Sequence, residues 1–177
     1  MPHIHTLPGQ HDHTVSAFII DVSQAEPRLW LHSHKKYNKL MQFGGHVELN
    51  ENPWQAICRE IGEESGFAMD QLKILQPVGA RPRDIDMVVW PQPVMSNTHA
   101  LELGHFHDDL SYAFVTDEPP QNVVGEMESA TLSLHTLEEI VAHDEGQIAA
   151  NTQEMTRYLF ENILGKWSPV ACSEFAG

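Results

Sequence analysis

The stretch GGHVELNENPWQAICREIGEESGF, residues 44–67, constrains the fold more than any other part of the chain, because it spells one helix with two marked ends and two unlike faces. Asn52 is a favoured N-cap, Pro53 suits the first helical position, and Gly66 is placed to close the helix in a left-handed conformation. At roughly 100° per residue, Trp54, Ile57, Cys58 and Ile61 share one arc, and Glu60, Glu63 and Glu64 share another about 120° around. The apolar arc needs a surface to cover, so the helix is expected to lie on a sheet. Ala56 projects among the carboxylates and leaves that face without bulk near its middle. Gly62 costs roughly 1 kcal/mol relative to Ala in a helix interior, which suggests a close contact there. Like charges at helical spacing repel. The acidic arc is therefore either an ordinary solvated face or a face that waits for a cation.

The rest of the chain supplies the sheet. Apolar and β-branched residues cluster between turn signals at VSAFIID (15–21) and RLWLHSH (28–34), and a short LMQF run leads into Gly44 and Gly45. After the helix, LKILQPVGA, DIDMVVW and LSYAFV are further strand candidates, and Pro91, Pro93, Pro119 and Pro120 mark turns. Thr136 and Glu139 fit a capping box opening a short helix, and residues 155–164 have the apolar spacing of a terminal one. Strands, a helix, more strands and a helical end give an α/β domain with a mixed sheet covered by helices. With 177 residues, 41% of them hydrophobic, one core suffices. Residues 1–14, rich in His, Pro and Gly, read as an irregular lead-in, residues 15–166 as the domain, and residues 167–177 as a C-terminal tail.

Charge limits the partners. Ten Lys and Arg stand against 25 Asp and Glu, a formal charge of −15. Such a surface repels nucleic acid and anionic membranes, so a polyanionic ligand needs a metal ion or a local basic pocket. No window approaches the roughly 18 apolar residues of a membrane span. Two cysteines, Cys58 and Cys172, are too few for a disulfide framework, and no basic-then-apolar leader opens the sequence. The expected compartment is the cytoplasm, and a homodimer is compatible with the chain.

Gly45, Glu51, Arg59, Glu60, Ile61, Glu63, Glu64, Gly66 and Phe67 together resemble the Nudix box: Gly, five residues, Glu, seven residues, Arg-Glu, an aliphatic, any residue, Glu-Glu, any residue, Gly, an apolar residue. Every position is filled without insertion, and chance agreement of its seven invariant types is on the order of one in 10⁸ to 10⁹ per starting point. The resemblance implies a Nudix-type α/β/α sandwich and a metal-dependent hydrolase of phosphoanhydride bonds. The residue types agree with that chemistry, since three carboxylates on one helical face supply oxygen ligands to Mg²⁺, or to Mn²⁺. By resemblance, Glu60, Glu63 and Glu64 are the metal ligands, joined by the Gly44 backbone carbonyl, with Glu51 and Arg59 in support. Arg59 orients the site or is a surface ion-pair partner of Glu63 at i, i+4. Nudix enzymes differ in their general base. Glu126 and Glu128, before the expected last strand, are candidates for a base or an extra ligand, or are plain loop charge.

The implied substrate is a small nucleoside diphosphate linked to another group. Trp90 and Phe43 are candidates for stacking on a base, with core packing the alternative for Phe43, and Lys39 and His46 are further substrate contacts. His32, His34, Lys35 and Lys36 could meet distal phosphates or form a basic hairpin tip. WPQPVMS at residues 90–96 and Pro82 are faint substrate hints. The 12 histidines include four His-x-His pairs, and His105, His107 and Asp109 fall on one face of a strand. They line a metal site or make surface and substrate contacts, while the pairs His3/His5 and His11/His13 read as tail. Two other activities stay open. One is a Nudix-fold nucleotide sensor without catalysis, which the intact carboxylates disfavour. The other is an isopentenyl diphosphate isomerase-like enzyme, which needs a cysteine in its site.

Overall fold

A computed structural model describes residues 7–79, 86–101, 104–122, 129–144 and 146–175. Its centre is a pair of long parallel strands, β1 (His11–Asp21) and β7 (Phe106–Thr116), joined along their whole length. Around them lie β2 (Arg28–His34), β3 (Lys39–Met41), β4 (Phe43–His46), β5 (Lys73–Gln76), β6 (Met95–Ala100), β8 (Ser129–Thr136) and β9 (Ser168–Ala171), all in antiparallel pairings. The sheet is therefore mixed, in the order β3-β2-β1-β7-β5-β9, with β4 pairing β1, β6 pairing β7 and β8 pairing β2.

Side chains alternate across a strand, so a strand covered on both sides reads as a nearly continuous apolar run. In β1, Val15, Ala17 and Ile19 enter one core with Trp54, Ile57 and Ile61 of α1 (Pro53–Ser65). Phe18 and Ile20 enter a second core with Ile140 of α2 (Leu137–Ala142) and Leu159 of α3 (Ala150–Asn162). β7 does the same, with Tyr112 and Phe114 on the α1 side and Ala113 and Val115 on the other. Helices thus cover both faces, as an α/β/α sandwich requires. Phe18, Phe43, Phe67 and Phe114 are wholly buried, each contributing roughly 1.5–3 kcal/mol by leaving water.

Local signals locate the helix ends. The Asn52 side chain accepts from the Gln55 amide at 3.0 Å while the Gln55 side chain accepts from the Asn52 amide at 2.9 Å, and Gly66 has φ 71°. Thr136 and Glu139 form the expected reciprocal pair at α2. Elsewhere the structure corrects the sequence reading. β1 starts at His11, so His11/His13 belong to a strand and not to a lead-in. The tail contains β9, which pairs with β5, and a 3-10 turn that buries Cys172 and Phe175. α3 starts at Ala150, ahead of its apolar stretch. In DIDMVVW the described residues, 86–90, are not strand, and Met87 and Val88 are exposed. The strand comes later, as β6, whose MSNTHA sequence is polar and owes its conformation to pairing with β7. At Gly62 an added Cβ would meet nothing within 4 Å among the described residues, so no close contact explains that glycine.

Candidate active site

The double glycine of β4 lets the sheet and the acidic arc of α1 approach each other. Gly44 has φ +145°, and a Cβ there would sit 2.1 Å from the Val15 carbonyl oxygen. A Cβ on Gly45 would fall 2.3 Å from Glu60 Oε1. The missing side chains leave a cradle that carboxylates fill. Glu64 Oε2 accepts the Gly44 amide at 2.8 Å, so the residue expected to offer a carbonyl ligand also fixes the Glu64 carboxylate. Glu60 and Glu64 are buried, whereas the side chain of Glu63 is 62% exposed.

Burying carboxylates is costly unless they are paired and hydrogen-bonded, and Arg59 does most of the pairing. Its Nη2 and Nε grip Glu51 in a two-pronged bond at 2.7 and 3.2 Å. Nη1 reaches Glu60 Oε1 at 2.7 Å and Glu63 Oε2 at 3.3 Å, and Nη2 also donates to the His46 carbonyl at 3.1 Å. The short bonds therefore go to Glu51 and Glu60, and the i, i+4 pairing with Glu63 is the weak one. The Arg59 hydrogen bond holds the Glu51 carboxyl below its ordinary range. Glu51, and then Glu60, raise the guanidinium pKa still further above its usual value. The carboxylates of this face offer oxygen donors against the cradle, which fits Mg²⁺ or Mn²⁺, and the buried His32 ring places Nδ1 4.0 Å from Glu64 Oε1.

A cleft of about 610 Å³ opens beside Gly44 and Gly45. Its rim is the β2–β3 hairpin, which carries Lys35, Lys36, Tyr37 and Lys39. Asn38 sits at the tip with φ 50°, and its amide donates to the His34 carbonyl. The Tyr37 ring is 51% exposed and lies 4.8 Å from that of His34. Inside, Asp109 Oδ1 accepts from Thr14 and Ser16 and Oδ2 accepts from Ser111. Of the substrate contacts expected from sequence, Lys39 and His46 line the cleft. Phe43 corrects the stacking expectation: though its residue borders the cleft, its side chain is wholly buried in the core. Trp90 packs half-buried on the α1-side core and is not among the residues lining the cleft. Glu126, Glu128, Pro82 and His3/His5 lie outside the described residues.

A further cluster reaches the cleft through His46, His99 and His107. The parallel register puts Asp12 beside His107, and His105 precedes β7. Asp12 Oδ2 lies 3.1 Å from His105 Nε2 and 3.6 Å from His46 Nε2. The His107 ring sits 4.9 Å from that of His46 and 5.3 Å from that of His99. Asp109, which sequence spacing grouped with His105 and His107, is held instead by the three hydroxyls.

Residues 12–159 match the family model described as NUDIX domain. The chain belongs to the Nudix family. Among solved structures, a NUDIX-family hydrolase from Clostridium perfringens is 25% identical, with TM-score 0.65, covering 85% of this chain and 96% of that one. An Ap4A hydrolase of C. elegans, solved as a binary complex, is 16% identical with TM-score 0.63, covering 85% and 96%. The NUDIX domain of Shewanella oneidensis NrtR, solved with ADP ribose, is 12% identical with TM-score 0.59, covering 85% and 87%. No curated protein sequence is a significant match. In this Nudix chain the cysteines do not support isomerase chemistry. Cys172 lies in the α1-side core with Cys58 packed against it, burial pushes their thiols up to about 12 and about 11, and neither lines the cleft. No helix among the described residues is long and apolar enough to cross a membrane.

Proposed function

We propose that this Nudix protein hydrolyses the pyrophosphate bond of a small nucleoside diphosphate linked to another group, with Mg²⁺ or Mn²⁺ held by Glu60, Glu63, Glu64 and the Gly44 carbonyl. The observation that carries the proposal is the cleft itself. In a chain of charge −15, Lys35, Lys36 and Lys39 gather on the rim of a cavity that borders the box glycines. That combination suits a compact polyanion rather than a nucleic acid, whose long backbone would meet the acidic surface.

The residues divide the work. The lysines neutralise phosphate oxygens, and Tyr37 offers an exposed ring on which a base can stack, a contact worth roughly 1–3 kcal/mol. Arg59 and the Gly44 amide hold the Glu60 and Glu64 carboxylates in place before any ligand arrives, so little reorganisation accompanies the reaction. A bound divalent ion supplies the Lewis acid for the phosphoryl oxygens and lowers the pKa of a water. Glu126 is retained as a candidate base. The neighbours named for Ap4A hydrolysis and for bound ADP ribose agree with a nucleoside diphosphate core in the ligand.

A substrate panel in ¹⁸O water with Mg²⁺ or Mn²⁺ tests this reading. ADP-ribose-like compounds are expected to turn over ahead of nucleoside triphosphates, with label in one phosphate product. Turnover only of non-nucleotide diphosphates, or only of capped RNA, overturns the substrate class. Tight nucleotide binding without product across metals identifies a sensor instead.

A further inference from the structure

We infer that Asp12, His105 and His107 form a second cation site, distinct from the glutamate face of α1 and built for a transition metal ion of the Zn²⁺ class. One ligand atom from each lies within 4.8 Å of the others. Zinc bonds to imidazole and carboxylate of about 2.0–2.2 Å put ligands of a tetrahedral site roughly 3.3 Å apart. The Asp12–His105 separation of 3.1 Å already matches that span. His107 completes the set within the 4.8 Å span.

The backbone places these groups without any box residue. Asp12 and His107 are register partners on adjacent parallel strands, so their side chains rise from the same face. His105 lies two residues from His107 and points the same way. The strands are the two central ones of the sheet, which gives the site the rigidity that metal geometry demands. His46, at the end of β4, puts a third imidazole 3.6 Å from the same Asp12 oxygen, beside the three ligands.

An ordinary buried ion pair needs one histidine. Here one carboxylate, 1% exposed, is ringed by His105 and His46, and His107 stands 4.9 Å from one ring and 5.8 Å from the other. Three imidazoles around one buried carboxylate exceed what an ion pair uses, and imidazole nitrogen is a common metal ligand. Two nitrogens and one oxygen favour Zn²⁺ and its neighbours, while the carboxylate oxygens of the glutamate face favour Mg²⁺ or Mn²⁺. Three protein ligands leave a coordination position open, and His107 and His46 both border the cleft. The position therefore faces the cleft, whose lining includes Gly44 and Gly45 but none of Glu60, Glu63 and Glu64. Arg59, which binds the His46 carbonyl as well as Glu60, links the two clusters.

The test is titration of the chelator-stripped full chain with Co²⁺, followed by its visible ligand-field absorption and by displacement with Zn²⁺. The wild type should take up Co²⁺ with the intense band of a four-coordinate nitrogen-containing site. His107→Gln and Asp12→Asn should each lose that band and weaken Zn²⁺ binding by more than the roughly 10–100-fold that loss of an outer partner costs. Glu60→Gln and Glu64→Gln should keep it. His107 is only partly buried, so its variant keeps the test open if Asp12→Asn fails to fold. A wild type without the band, a band that survives in folded His107→Gln, or one that disappears in folded Glu64→Gln overturns the inference. None of these readouts depends on turnover of a nucleotide.

Discussion

Replacing Arg59 by Ala should destabilise this protein more than any other single substitution on the acidic face. Arg59 makes short bonds to Glu51 and Glu60, and the partner left behind at Glu60 is 1% exposed. Removing one member of a buried pair typically costs about 3–5 kcal/mol, because the other charge stays buried without compensation. The exposed Glu63 adds almost nothing to that figure, since surface pairs are screened. At about 2–4 °C per kcal/mol for a chain of this size, the melting temperature should fall by roughly 6–20 °C. Arg59→Lys keeps the charge but loses the fork, so it should fall between the two. The pH dependence carries a sign. Arg59 depresses the folded-state pKa of Glu51 below its ordinary 4.5, so that pairing stabilises fully above this value and is lost as pH falls through the depressed one. Denaturant unfolding of wild type and variant from neutral pH down should show a constant gap to about pH 5, narrowing below it. A variant within about 1 kcal/mol of wild type at neutral pH, or a gap that persists unchanged in acid, would refute the reasoning.

Other perturbations separate architecture from chemistry. Glu64→Gln keeps the shape but loses the charge, so it should retain the fold by circular dichroism and lose most turnover in Mg²⁺; full turnover by a folded variant sinks the ligand assignment. Gly44→Ala pushes a methyl into the Val15 carbonyl from a left-handed backbone, and should lower stability more than Gly45→Ala, whose obstacle is the movable Glu60 side chain; equal melting temperatures would contradict this. Tyr37→Ala removes an exposed ring, so it should raise KM for a nucleotide substrate several-fold at unchanged melting temperature, and an unchanged KM removes the stacking role.

What could be read from the sequence was local. Asn52, Pro53 and Gly66 act within a few residues of themselves, and they mark α1 without help from the rest of the chain. The carboxylate spacing on α1 is equally local, which is why the acidic face is legible as a site for a cation. β6 was missed because its polar residues carry no apolar run; only the β7 edge makes it a strand. β9 was missed because its Ser-Pro start and short length look like a tail, although it closes the sheet edge at β5. Asp12 stood unremarked among N-terminal histidines, since nothing in its neighbourhood reveals that His107 will lie beside it. Tyr37 was overshadowed by Trp90 and Phe43, because residue type alone does not distinguish a ring at a cleft rim from a ring in a core.

The parallel pairing of β1 with β7 also governs how the chain must fold. Every register pair along that ladder, such as Thr14 with Asp109, joins residues 95 positions apart. Closing a loop of that length costs entropy before the ladder returns any energy, so topology of this kind is slow. During synthesis at roughly 5–20 residues per second, β1 waits about 5–20 s for its partner. Through that interval its apolar core run, with no charge between Asp12 and Asp21, is an open edge available to other chains. Productive folding in the cell should therefore depend on a holding chaperone or on early capture of β1 by β2 and β4, both of which are translated soon after it and pair with it directly.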